Sequence, residues 1–244
     1  MTYDIAVKAE LEHLAIISWP VEVEAVAAML PDPLVPRTIA KGVTLVSMAL
    51  MQDTMFGETF AQLNERTYVQ LPDGTGKGAF FWRSEVSSAQ ALVVRSLVGA
   101  PEFASPIRMN VDGDDYVFRR DEKVIARLDL GRTGEVLERH GDLDLARAVR
   151  LSSRAPVGYT LNWGRLCATR VLRSRVHARR VAIRRIDPSF MRPAIAIEPS
   201  DYGAPLLALY VRRTPFWVDV PRPLSVGGGD RIFWPGLLPP GGPL

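Results

Sequence analysis

The sequence predicts an α+β fold: mainly an antiparallel β-barrel or cone with a few helices packed outside. Three observations carry this expectation. Short apolar or alternating segments recur along most of the chain, separated by Gly, Pro and Asp turn signals. Only two or three stretches space their apolar residues as a helix does. No repeat of solenoid period is present. A chain of 244 residues with 47% hydrophobic content can bury one sizeable core. Residues 1–220 are therefore read as one domain, and 221–244 as a Pro/Gly-rich C-terminal arm.

The elements follow in chain order. Leu14 to Trp19 reads as a buried strand, and residues 21–30 carry a helical apolar pattern. Pro20 fits that helix's first turn, where a missing N–H costs no hydrogen bond, and Pro31 and Pro33 stop it. Residues 43–51 read as a buried strand. The stretch 59–71 alternates, with Gln62, Asn64, Arg66 and Tyr68 on one face and Leu63, Glu65, Thr67 and Val69 on the other. Pro72, Asp73 and Gly74 turn the chain into a second hairpin strand at 78–86. Ser87 or Ser88 then caps a helix whose apolar face is Ala91, Leu92, Val94, Leu97 and Val98, ended by Gly99 and Pro101.

Asp112, Gly113 and Asp114 mark a hairpin between 106–111 and 115–120, and 124–130 continues the meander. Residues 141–151 read as a short helix. Strands are expected at 166–172, 179–186, 194–198, 205–212 and 215–220. The arm carries Ile232, Phe233 and Trp234, which have no apolar partners in their own segment, so it is a candidate dimer arm.

Composition narrows the function. One cysteine, Cys167, excludes an intramolecular disulfide and a cysteine-based metal cluster. No signal-peptide pattern opens the chain, and no apolar run reaches the length of a membrane helix, so a cytoplasmic, soluble protein with no membrane partner is expected. The net charge is +3, carried by 26 Arg and 4 Lys against 27 acidic residues. The Arg-rich run 165–185 holds no stacking aromatic other than His177, which speaks against nucleic acid as a partner. Phosphate-loop, dinucleotide, zinc-protease and nucleophile-elbow motifs are absent, and His13, His140 and His177 lack ligand spacing, so no cofactor or metal is expected.

Chemistry centres on the polar face of 62–68. Turned inward in a barrel, it would aim Arg66 at a carboxylate or enolate oxygen. Turned outward, it would be solvated, with the Leu63 and Val69 face making the core. Alternation alone leaves both open. Each residue also has a plain structural alternative: Arg66 paired with Glu85 across the hairpin, Tyr68 and Trp82 as core aromatics, Arg108 answering Asp112 or Asp114.

The motifs LNERTYV at 63–69, SWPVEVEAVAAMLPDPL at 18–34 and FFWRSEVSSAQALVVRSLVGAPEF at 80–103 resemble the DUF2071 or YqjF-like family, related to acetoacetate decarboxylase. The resemblance covers about the first 130 residues. It implies a decarboxylase-like barrel with an apolar internal cavity, which favours the inward reading. It also implies that the catalytic lysine pair of true decarboxylases would follow the Gly-x-Pro exit. Here Glu102 and Phe103 stand at that place, and neither can form an imine. Lys8, Lys41, Lys77 and Lys123 are expected at exposed positions.

The expected activity is a cofactor-independent tailoring step, a cyclisation, rearrangement or lyase reaction on a hydrophobic, polyketide-like carbonyl compound. Arg66, Glu102 and Tyr68 are its candidate catalytic residues. Asn64, Gln62, Trp82, Phe81, Met48, Met109 and Arg108 are its candidate substrate contacts. The alternative is a non-catalytic binder of a hydrophobic small molecule. A Schiff-base decarboxylase is disfavoured.

Overall fold

The computed structural model describes residues 6–55, 57–89, 102–134, 143–173, 176–191 and 203–224. Strand β1 runs over Ala6–Glu22 and leads directly into a short helix, α1 (Val23–Ala27). The next strands are β2 (Val35–Pro36), β3 (Val43–Met55), β4 (Glu58–Gln70), β5 (Gly78–Val86) and β6 (Glu102–Ala104). A hairpin and its neighbour follow: β7 (Ile107–Asp112), β8 (Asp115–Arg120) and β9 (Lys123–Asp129). After helix α2 (Leu145–Ser153) come β10 (Val157–Asn162), β11 (Arg165–Arg173), β12 (Arg179–Arg180) and β13 (Ala182–Ile186). The last strands are β14 (Leu207–Asp219) and β15 (Arg222–Pro223).

These strands do not form the mainly antiparallel barrel that the sequence predicts. They divide between two sheets. The large sheet has eleven strands in the order β12-β14-β1-β3-β4-β5-β10-β11-β15, with β2 on β4 and β6 on β5. It is a mixed sheet, for β5 pairs in parallel with both β10 and β6, and it is not a closed barrel. Two register pairs join β5 to β10, and three join β11 to β14. The small sheet, β13-β9-β8-β7, is separate and antiparallel. The reason lies in connectivity. The meander expected over 106–130 holds as β7-β8-β9, but it makes a sheet of its own, and β6, unread in the sequence, pairs in parallel with β5, which requires a crossover between them.

Several local expectations hold and others shift. The turns at 72–74 and 112–114 make the β4–β5 and β7–β8 hairpins. Strand β1 continues through Pro20, which stands opposite Leu45, so the helix begins three residues later than Pro20 suggests. Asp144 caps α2, accepting from the Arg147 N–H at 2.8 Å. The Ser87 hydroxyl accepts from the Ala61 N–H. The helix expected beyond Ala89, the strand at 194–198 and the arm from 225 onward lie outside the described residues, while β15 pairs the arm's first residues with Cys167 and Ala168.

The large sheet is buried on both faces. On one face Ile17, Trp19, Val46, Met48, Leu50 and Leu63 pack against Tyr116, Phe118, Ile125 and Leu128 of the small sheet. On the other face Ile16, Leu45, Ala49, Tyr68 and Leu209 pack with Ala148 and Leu151 of α2. Strand β4 is enclosed for ten consecutive residues, Phe60 to Val69.

The β5–β10 seam depends on a residue without a side chain. A Cβ at Gly78 would stand 2.2 Å from the Val157 carbonyl oxygen and 2.9 Å from the Tyr159 ring. Gly78→Ala is expected to part these strands and destabilise the fold by about 2 kcal/mol or more. Gly57→Ala, whose Cβ meets nothing within 4 Å, isolates the cost of a positive φ alone. Urea unfolding of both variants measures the difference.

Candidate functional site

Alternation along β4 sends two different sets of polar groups into the two buried faces. The Gln62, Asn64, Arg66 and Tyr68 set points toward α2, and all four are buried. Most of their polar atoms satisfy one another. Gln62 Nε2 donates to Asn64 Oδ1 at 2.8 Å, and the Ser84 hydroxyl donates to the same oxygen at 2.6 Å. The Tyr68 hydroxyl donates to Ser47 at 3.0 Å, and Ser47, Ser18 and Ser152 continue the chain. Arg66 donates from Nη2 to the Ser152 carbonyl at 3.2 Å, and its guanidinium lies over the rings of Tyr68 and Phe81. Its Nε has no hydrogen-bond partner. This face is a hydrogen-bonded seam that fixes α2 to the sheet.

The opposite face holds a group of a different kind. Glu65 is fully buried, and neither of its carboxylate oxygens has a hydrogen-bond partner. Burial pushes its pKa up to about 8; Arg83 and Arg120 pull it down less than burial raises it, and Glu85 adds to the rise. The carboxyl is therefore protonated at neutral pH. Beside it Glu85, also fully buried, is held by Arg120, whose Nε donates at 3.1 Å and whose Nη2 makes a second, shorter contact. Arg83 Nη2 stands 3.1 Å from the same carboxylate. Two neighbouring carboxyls thus sit in unequal surroundings, one bare and one clamped by two guanidiniums, which is the pattern that separates an acid from a fixed charge.

Strand β6 brings the Glu102–Phe103 pair to the edge of this cluster. Phe103 stands in register with Glu85, and the Arg83 guanidinium lies 5.2 Å from the Phe103 ring centre. Phe103 is 52% exposed, so this edge reaches solvent. The side chain of Glu102 lies outside the described residues.

The candidate residues named from sequence therefore separate. Gln62, Asn64, Arg66, Tyr68 and Phe81 share the α2 face. Met48, Trp82 and Met109 belong to the other face with Leu63 and the small sheet, and Met48 stands directly opposite Glu65 in register. Arg108 is exposed on β7. Arg66 does not pair with Glu85; a register shift at Glu65/Arg66 and simple alternation put them on opposite faces. Of the apolar residues expected from sequence, Met48, Trp82 and Met109 thus lie on the Glu65 face and Phe81 on the Arg66 face. Alternation places Glu65 on the face of Leu63, Thr67 and Val69, and the sequence reading gives it no role, although a carboxyl between Leu63 and Thr67 on a buried face is itself the anomaly that marks it. All four lysines are exposed, none of them in this cluster. Among the described residues, no three His, Cys, Asp or Glu side chains converge as a metal would require.

The DUF2071 family, described as an uncharacterized conserved protein, matches residues 8–212. The chain belongs to this family. The match extends well past the first 130 residues on which the motifs rest. No curated protein matches the chain significantly. Among solved structures, this DUF2071 protein is similar to an acetoacetate decarboxylase-like enzyme from Sphingomonas wittichii RW1. The TM-score is 0.57 and the identity 14%, over 91% of this chain and 94% of that one. It is similar also to acetoacetate decarboxylase from Legionella pneumophila, with a TM-score of 0.58 and 13% identity over 92% and 90% of the two chains. The enduracididine biosynthesis enzyme MppR complexed with pyruvate gives a TM-score of 0.54 and 13% identity, over 92% of each chain. At these identities the likeness is one of fold alone.

Glu65→Gln removes the acid while keeping its shape. A carboxyl raised to about 8 in the folded state binds its proton more tightly there than in the unfolded chain. It therefore costs stability progressively between about pH 4.5 and pH 8, by roughly 3–5 kcal/mol when complete. The variant should match the parent near pH 4 and exceed it in melting temperature at pH 8.5. A constant difference across that range would show that Glu65 does not titrate as its burial demands.

Proposed function

We propose that this protein is an acid–base enzyme acting on a hydrophobic, carbonyl-bearing small molecule, with cyclisation, rearrangement or lyase chemistry proceeding through an enolate. The observation that carries the reading is the Glu65 carboxyl, fully buried, unpartnered and protonated at neutral pH beside Arg83 and Arg120. In this reading Glu65 gives its proton to the substrate's carbonyl oxygen while a solvent water takes the proton of the adjacent C–H bond, whose electron pair becomes the enol double bond. In a lyase reaction the same electron pair comes from a C–C bond whose other fragment leaves as carbon dioxide. Arg83, whose Nε is unpaired, faces the oxygen as charge develops. Met48, Trp82, Met109 and Phe103 supply the apolar wall. Glu85 and Arg120 hold Arg83 in place and keep the local charge fixed.

The fold likeness supports an enzyme of this general kind, and the pyruvate complex of one similar structure supports a carbonyl substrate. An amine-based mechanism is disfavoured, because Phe103 stands near the acid where the family resemblance would put a lysine, and every lysine is exposed. The role first assigned to Arg66 and Tyr68 passes to a supporting one, since their face is closed by its own hydrogen bonds.

The test needs no knowledge of the natural substrate. A panel of hydrophobic β-keto acids and 2-oxo acids is incubated with the protein in D2O, and proton NMR follows exchange at the carbon next to the carbonyl. Catalysed exchange or product formation is expected, falling as pH rises through about 8 with loss of the Glu65 proton. Glu65→Gln should lower the rate by about 100-fold or more, whereas Arg66→Met should leave most of it. Tight binding without exchange or product would make the protein a carrier. Borohydride trapping of substrate on a lysine would overturn the acid–base reading.

A further inference from the structure

A second concave site lies where the small sheet meets the β1–β14 edge of the large one. It is a cleft of about 790 Å³ lined by His13, Asp114, His177, Arg179, Tyr210 and Arg212, with Val111 and Leu130 as apolar floor. That volume suits a small-molecule ligand. The cleft is separate from the Glu65 cluster. Arg120, which clamps Glu85, ends β8, whereas Asp114 immediately precedes its start, so the two sites stand at opposite ends of one strand.

Three features show a built site. The first is backbone strain. His13 has φ +52°, in the left-handed region, and sits where the β1–β3 register slips between Glu12 and Ala15. This irregularity brings His13 Nδ1 within 2.7 Å of the Tyr210 hydroxyl. The second is convergence. The Arg179 guanidinium lies 5.2 Å from the centre of the Tyr210 ring, and Arg179 and Arg212 both act electrostatically on the Tyr210 hydroxyl. Burial lowers the pKa of His13, Glu12 pulls it back up, and Arg212 lowers it again. The third is unbalanced charge. Arg127 and Arg184 are paired with Asp115 and Asp129, and Arg213, the neighbour of Arg212 on β14, takes Glu10 and Glu12. Among the described residues, Arg179 and Arg212 have no such carboxylate partner, and Asp114 is the only acidic side chain lining the cleft. Two guanidiniums at one tyrosine, with one carboxylate among the lining residues and Arg179 anchored on the Leu130 carbonyl, form a site suited to an anion.

We propose that this cleft binds a small organic anion, a carboxylate or a phosphate ester. Its charged end is held by Arg179, Arg212 and His177, and its apolar part rests on Val111 and Leu130. Tyr210 and His13 fix the orientation, the tyrosine ring as a platform for Arg179 and the imidazole as a partner of its hydroxyl. The ligand approaches from solvent, since His177, Arg179 and Arg212 are all exposed.

Calorimetric titration of the full chain with 4-phenylbutyrate, phenyl phosphate and inorganic phosphate tests this, with the exposed residues changed in Arg212→Ala and His177→Ala. At least one of the two aromatic anions should bind saturably, at least tenfold more tightly than inorganic phosphate, and Arg212→Ala should weaken it by about tenfold or more. Binding of phenylbutyrate alone identifies a carboxylate site, and binding of phenyl phosphate alone a phosphate-ester site. Glu65→Gln should leave these affinities unchanged, which separates this site from the proposed catalytic one. Absence of saturable binding by either aromatic anion, or binding indifferent to both Arg212→Ala and His177→Ala, overturns the proposal.

Discussion

A single strand buried on both faces sets the terms for everything around it. Strand β4 carries Glu65 and Arg66 side by side, and the two-residue period of a strand sends them into opposite interiors. Neither charge can reach water, so each face must answer its own. On the α2 side the answer is a carbonyl from the end of a helix and two aromatic rings. On the small-sheet side it is incomplete: Arg83 and Arg120 are engaged by Glu85, and Glu65 settles its charge by holding a proton. The docking of α2 is thus tied to Arg66, and that of the small sheet to the Glu85 carboxylate beside Glu65.

The sequence reveals the strands of this fold better than their arrangement. Alternation at 59–71 and the Pro-Asp-Gly and Asp-Gly-Asp turns give the β4–β5 and β7–β8 hairpins, because hairpin pairing is local and its signals lie within a few residues. The division into two sheets and the parallel pairing of β5 with β6 and β10 are decided by contacts far apart in the chain, which no local pattern encodes. Strand β10 is missing from the sequence reading although its pairing with β11 is local, a tight hairpin turned by Trp163 and Gly164. Pro20 was misleading because its one missing N–H is tolerated in a strand as in a helix start.

The site was legible in pieces. The apolar wall of Met48, Trp82 and Met109 could be named from residue type, and the Arg66 face from alternation, but which wall belonged to which polar group could not. A strand with polar residues on one face and Leu63, Thr67 and Val69 on the other invites the view that only the first face does chemistry. The structure encloses both, and the informative residue is then the one that breaks its own pattern. Glu65 does so more sharply than Arg66, because burial leaves its oxygens bare, while Arg66 still finds a carbonyl. The replacement of lysine by Phe103 reads differently in this setting: the ring stacks with Arg83 and leaves acid and guanidinium as the groups at the edge.

The pairing of β1 with β14 carries a consequence for how the protein is made. Their register runs from Ala6 opposite Asp219 to Ser18 opposite Leu207, so β1 is synthesised long before the strand that lies beside it. Until β14 is synthesised, the largely apolar edge of β1 that it covers stays unpaired. Loop closure over so long a separation is slow, and the intervening chain must stay soluble meanwhile. Glu10 and Glu12 on β1, which later meet Arg213 across the seam, are charges on that waiting edge. Before they close the sheet they help to keep the newborn strand from pairing with another copy of itself.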